Sequence, residues 1–310
     1  MRIQDIELVA VIVLSMGTAV YWPTSGVFFQ PFIKYCMMTL LFLSFLRIDF
    51  RALSDTSAAS LGKLAVLASV KLVVLPVAMF GVAWFVCPDY AVGVLLLSGI
   101  STGVVAPFAA GMFRADMVLV LRMVVVTSVA VPFTLPVLVK LLAGGEVSIP
   151  IADMGNLLGM VIFIPLAAVV LLRRYSPRIV QVLAARQFSV SLVLFALINL
   201  GVFSKYSDFF FGNPQELVRA TLCAYLLSGV YYLVGTCLTA SGALEQRLAG
   251  GVSITIVNNV LVLVFSADSF GPLSPTLAAM YMFPFFTVIV LGNYLLHRKS
   301  MDIPDEGRSA

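Results

Sequence analysis

Charge is the scarcest property of this 310-residue chain. Lys, Arg, Asp and Glu together make up 11% of it, against 61% hydrophobic residues, and a soluble globular domain carries about 25% charged residues. A soluble fold is therefore excluded, in keeping with a mean hydropathy of +1.07. Histidine occurs once, as His297 after the last apolar run, so no histidine pair exists to hold a metal, and this residue reads as a flanking basic group. The four cysteines, Cys36, Cys87, Cys223 and Cys237, are scattered through or at the ends of apolar runs without metal-ligand spacing, and read as small core residues. No acidic pair and no Ser–Lys dyad lies within the runs. Ser69 is two residues before Lys71, so the two side chains diverge on a helix. These absences argue against a membrane enzyme. The net charge of +4 is spread over short connections and makes no nucleic-acid surface.

What is present is apolar sequence long enough to cross a bilayer many times. Runs of roughly 17 to 25 residues cover a hydrocarbon core of about 30 Å as helices. Such runs fall near 7–22, 31–47, 60–86, 91–112, 116–143, 149–172, 187–204, 215–239, 248–267 and 273–297. The expectation is an all-α integral membrane protein of about ten transmembrane helices, forming one unit over 1–310 and interacting with lipid throughout. The start, with Asp5 and Glu7 beside Arg2, lacks a basic n-region and a clear cleavage site, and reads as the first span.

Basic residues sort the connections. Arg47, Arg51 and Lys63 flank the second, Arg114 lies in the fourth, Arg173, Arg174, Arg178 and Arg186 fill the sixth, Arg247 is in the eighth, and Arg298 and Lys299 follow the last span. By the positive-inside rule both termini face the cytoplasm of a cell (inner) membrane, and 301–310 is a cytoplasmic tail. The basic sixth connection divides the chain into 1–145 and 146–300, five spans each. An odd number per half forces opposite insertion, the inverted-repeat plan of many secondary transporters.

The fourth span of each half is interrupted. In the first, "LLSGISTGVVAPFAAGMFRAD" contains Gly99, Gly103, Pro107 and Gly111; in the second, "LAGGVSITIVNNVLVLVFSAD" has Gly250 and Gly251 at its start and Asn258 and Asn259 in its middle. Small residues alone also mark tight helix packing. Two adjacent amides need partners in a dry interior, which favours a site, although which of them faces it stays open.

The stretch "RADMVLVLRMVVVTSVAVPFTLPVL", carried by Arg114, Asp116, Pro132 and Pro136, resembles the bile acid/sodium symporter family. Lys71, five residues before Pro76, and "PTSGVFFQPFIKYCMMTLLFLSFLRIDF" are similar to that family's third span and its first-to-second connection. The resemblance implies a core of spans three to five and eight to ten, a panel of spans one, two, six and seven, and broken fourth and ninth spans that cross beside the substrate. It also implies two sodium sites, and the ligands expected for them are largely missing. Lys71 stands where a Gln is expected, the ninth span has no Glu, Asp or Gln between Leu248 and Ala267, Val120 and Val124 stand where hydroxyls are expected, and Ala106 and Pro107 replace a Ser–Asn pair.

Lys71 lies eight residues beyond Lys63, on the order of 12 Å along a helix, and an ammonium near the bilayer centre costs about 2.5–3.5 kcal/mol on insertion scales. One reading has it stand in for a sodium ion, satisfying carbonyls at broken helix ends; snorkelling or an interhelical bond is the bland one. Arg122, six residues after Asp116, either snorkels or holds a carboxylate or sulfonate in an inward vestibule. Asp116 is expected to cap its helix. Lys34, Lys140 and Lys205 sit near span ends as interface anchors. The candidate site is thus Lys71, Ser101, Thr102, Pro107, Arg122, Thr127, Thr255, Asn258 and Asn259.

The leading expectation is a secondary transporter of a small or amphipathic organic anion, working by alternating access. It is expected to need no cofactor, with a proton as a possible coupling ion or no coupling at all. The alternatives are a sodium symporter whose ion is held by Asn258, Asn259, Thr255 and backbone carbonyls, and a channel or ligand sensor.

Overall fold

The computed structural model describes residues 3–46, 57–103, 105–144, 151–267, 270–284 and 287. The tail 301–310, the second half of the expected tenth span, and the basic residues Arg47, Arg51, His297, Arg298 and Lys299 lie outside the described residues. Those described are helical almost throughout, and their one β-type pairing is an isolated bridge.

In chain order the helices are α1 (Ile3–Tyr21), α2 (Thr24–Val27), α3 (Ile33–Phe45), α4 (Ala58–Ser69), α5 (Leu75–Val86), α6 (Ala91–Gly99), α7 (Ala106–Met112) and α8 (Met117–Ala143). They continue as α9 (Ile151–Tyr175), α10 (Pro177–Lys205), α11 (Ser207–Gly212), α12 (Pro214–Leu238), α13 (Leu244–Thr255), α14 (Asn259–Ser266) and α15 (Leu273–Met280). Six helical stretches among the described residues are long and apolar enough to cross a membrane: Thr24–Phe45, Ser60–Val86, Met117–Ala143, Ala152–Tyr175, Pro177–Lys205 and Pro214–Leu238.

Several boundaries differ from the sequence reading, each for a local reason. The sixth connection is expected to be a long basic loop, yet α10 begins at Pro177 and a single residue, Ser176, separates it from α9. Proline in the first turn loses no helical hydrogen bond, because that N–H is an orphan in any helix, so Arg178 and Arg186 belong to the helix. The segment after α10 is not a plain loop either, since it contains α11. The second span starts early, at Thr24, and is stepped at Pro31, where a 3₁₀ turn over Gln30–Phe32 joins α2 to α3. Pro132 and Pro136 lie inside α8 without ending it, as membrane helices allow when neighbours satisfy the freed groups.

Two packing groups result. α1, α2, α3, α9 and α10 lie against one another, while α4 to α8 and α12 to α15 form the other group, joined to the first chiefly where α8 packs on α9 and α3 on α14. Within the second group the short helices are exchanged: α6 packs on α15 as well as α5, and α13 packs on α8 as well as α12. α12 and α13 approach backbone to backbone. A Cβ added at Gly250 would lie 2.4 Å from the Gly235 carbonyl oxygen, so only glycine admits this spacing.

Candidate functional site

Lys71 sits in a turn that is not α-helical. Over Val70–Val74 the helix widens to a π turn, and the Leu75 N–H reaches back five residues to the Val70 carbonyl. Pro76 explains the slip, because it has no N–H to donate and its ring crowds the carbonyl four residues back. The side chain is fully buried. Its Nζ donates to the Ser98 carbonyl at 3.1 Å and lies 5.3 Å from the centre of the Tyr231 ring. Ser98 is in the last turn of α6, where carbonyls lack helical partners and carry the negative end of the helix dipole. No ion pair holds Lys71 among the described residues; a carbonyl and an aromatic face surround the ammonium instead.

Tyr231 and Ser98 were not picked out in the sequence. The Ser98 hydroxyl donates to the Val94 carbonyl at 2.6 Å and stands 2.6 Å from the Tyr231 hydroxyl, which leaves Tyr231 as the donor between them. Lys71 and Tyr231 therefore grip one residue, by its carbonyl and its side chain. A tyrosine in mid-span, away from the interface where aromatic belts collect, was the available signal. Tyr281 is the second such residue: its ring centre is 6.0 Å from that of Tyr231, and its hydroxyl donates to the Thr255 carbonyl at 2.8 Å.

The two interrupted spans meet at their breaks. α6 ends at Gly99 and α7 starts at Ala106; α13 ends at Thr255 and α14 starts at Asn259. Between them Thr102 and Val257 form an antiparallel bridge. The Gly103 N–H donates to the Ile256 carbonyl at 2.7 Å and the Asn258 N–H to the Ser101 carbonyl at 2.9 Å. A Cβ at Gly103 would stand 2.7 Å from the Val257 carbonyl oxygen, so this residue has to lack one. The Thr102 hydroxyl crosses to the Ser253 carbonyl at 2.8 Å, and the Thr102 N–H donates to the Thr127 hydroxyl at 2.9 Å, tying the crossing to α8.

Ser101, Thr102, Thr127, Thr255 and Asn258 thus belong to one buried crossing. Three hydroxyls there, of Ser101, Ser253 and Thr255, are buried without a hydrogen-bond partner, and unpaired polar groups in a dry interior are costly. The two amides have separate duties. Asn258 caps α14, its side-chain oxygen accepting from the Leu261 N–H at 3.4 Å, whereas Asn259 donates to the Ala278 carbonyl of α15 at 3.3 Å. Pro107 occupies the first turn of α7, a position where its missing donor is harmless.

Arg122 is elsewhere. It is buried on α8 and donates to the Ser60 hydroxyl at 2.6 Å, in the first turn of α4. Asp116 caps α8 as expected, accepting from the Leu119 N–H at 3.1 Å. Lys63 donates to Gln246 at 2.8 Å, and Lys205 to the Ala267 carbonyl at 3.0 Å. The four cysteines are free, three of them half-buried and Cys237 exposed.

The sequence profile described as Sodium Bile acid symporter family matches residues 34–213 of the chain. A search of curated proteins found no match.

Proposed function

Because the chain belongs to the sodium bile acid symporter family, whose members are transporters and not enzymes, we propose that it carries a small or amphipathic organic anion across the membrane by alternating access, without sodium. The observation that carries this reading is the Lys71 Nζ bonded to the Ser98 carbonyl at the broken end of α6. Discontinuous membrane helices use such carbonyls and C-terminal ends to coordinate a coupling cation. A protonated lysine in that place supplies the charge itself, so a sodium ion there would meet both an occupied acceptor and a like charge. The substrate is an anion on the same ground: Lys71 has no acidic partner among the described residues, and Arg122 adds a second buried cation. A proton exchanged at Lys71 is the coupling ion we favour over sodium.

The substrate position is the crossing, where the Ser101, Ser253 and Thr255 hydroxyls have no protein partner. The arrangement we infer around it is ten spans in two inverted repeats, 1–145 and 146–300, with both termini in the cytoplasm. The exchange of short helices supports it, since each interrupted span packs against the other half through its own first segment, α6 on α15 and α13 on α8. The competing sodium symporter would hold its ion with Asn258, Asn259, Thr255 and backbone carbonyls. The oxygen of Asn258 is engaged as a helix cap, which counts against it, while Asn259 bonds α15 through its amide nitrogen alone.

The test is the melting temperature of the purified protein in sodium chloride and in choline chloride at equal ionic strength. A ligand bound only by the folded state stabilises it by RT ln(1 + [L]/Kd). We expect no sodium-specific rise; a saturable rise with sodium concentration would overturn the sodium-free reading and leave Lys71 as a substrate-holding residue.

A further inference from the structure

The break in α13 leaves the same chemical problem as the break in α6. A helix that stops in the apolar interior has four carbonyls without helical donors, and each must find a partner. Beyond the last helical bond of α13, from the Ile256 N–H to the Val252 carbonyl, the Thr102 hydroxyl takes the Ser253 carbonyl at 2.8 Å, the Tyr281 hydroxyl takes Thr255 at 2.8 Å and the Gly103 N–H takes Ile256 at 2.7 Å. Tyr281 is itself buried, and its ring centre lies 6.0 Å from that of Tyr231 on α12.

We propose that Tyr281 is a second built-in substitute for a coupling cation, covering the end of α13 as Lys71 covers the end of α6. This rests on the sodium-free reading and extends it from one helix end to both. Lys71 reaches its carbonyl from the π turn between α4 and α5, Tyr281 from the C-cap of α15, and Tyr231 connects them, with Lys71 over its face and Tyr281 beside its ring. A carbonyl bonded to a neutral hydroxyl is satisfied without a charge. The pair of ends therefore carries one positive charge in total, contributed by Lys71, where two bound monovalent cations would have brought two.

The consequence is a latent cation position at Thr255, closed by one hydroxyl and by repulsion from Lys71. Removing both barriers should open it. In the full-length purified protein, sodium titrations of the melting temperature against choline chloride are compared for wild type, Lys71→Gln, Tyr281→Phe and the double variant. The wild type is expected to show no sodium-specific rise. The double variant is expected to show a saturable rise, half-complete at about a tenfold lower sodium concentration than Lys71→Gln alone, the worth of one released hydrogen bond.

Equal midpoints for Lys71→Gln and the double variant would overturn the assignment of Tyr281 and leave the role of Lys71 standing. Indifference of both variants to sodium would overturn it too, since no latent position would exist. A sodium response in the wild type would overturn the sodium-free reading itself. If Tyr281→Phe yields no folded protein, Tyr281→Leu takes its place in the same titration, because it too uncovers the Thr255 carbonyl. The same tenfold tightening is expected of it, and an unchanged midpoint would again overturn the proposal.

Discussion

Lys71 and Arg122 are both buried cations from the first half of the chain, and the molecule holds them differently. Arg122 is five residues into α8 and reaches the Ser60 hydroxyl in the first turn of α4, so its charge is settled near two helix starts. Lys71 is thirteen residues beyond the start of α4, on the order of 20 Å of helix, and is bonded to a carbonyl that exists as an acceptor because α6 stops at Gly99. The guanidinium joins ends that any helical packing would bring together. The ammonium answers a defect, and the defect is the interruption on which the proposed transport depends. Depth along the span thus separates a cation that fastens helices from one that compensates for broken ones.

The largest expected effect comes from Lys71→Met. Uptake of organic anions into proteoliposomes should fall by about 10²-fold, the usual loss on deleting one preorganised electrostatic donor, while the melting temperature changes little, because loss of the desolvated charge offsets the Ser98 carbonyl left without its donor. Wild-type uptake by this variant would make both cations structural and end the contrast. Gly103→Ala sharpens the interior side of it. With 2.7 Å to a backbone carbonyl, the added methyl should destabilise the protein by about 1–3 kcal/mol. Gly17→Ala, which meets nothing within 4 Å, should stay within about 0.5 kcal/mol; denaturant titration in mixed micelles would compare the two. The smallest effect on uptake is expected of Arg122→Gln, which keeps a donor for Ser60. Uptake should change by no more than about fivefold, the worth of one hydrogen bond of about 1 kcal/mol. A loss as large as that of Lys71→Met would show that Arg122 holds the travelling anion.

Features set by local chemistry were readable in the chain. The Asp116 cap, the interruptions at Gly99–Pro107 and before Asn259, and the burial of Lys71 each follow from residue type and spacing, without knowledge of the partner. Features that depend on what lies opposite were not. Tyr231 and Tyr281 look like ordinary aromatic residues in apolar runs, and they acquire their roles from Ser98 and Thr255, more than a hundred and about twenty-five residues away in sequence respectively. The amides of Asn258 and Asn259 resemble one another as letters, yet one residue of offset makes the first a cap for α14 and the second a tie to α15. Conversely, the basic residues 173–186 suggested a loop because positive charge favours the cytoplasmic side, although positive charge alone does not end a helix. Pro177 starts one there instead.

The wide turn at Val70–Val74 makes the aim of Lys71 a matter of chain length. Successive residues of an α-helix are rotated by about 100°, and a π turn accommodates one residue more than the α-helical register would. The segment Ala58–Ser69 and the following Leu75–Val86 are therefore out of phase by one residue. Delete one residue between them and the phase closes, with every side chain on one side of the deletion swung by about a quarter turn relative to the other. Lys71 would then be lost to the Ser98 carbonyl although its codon was untouched. For this span, inheritance of function means inheritance of a residue count.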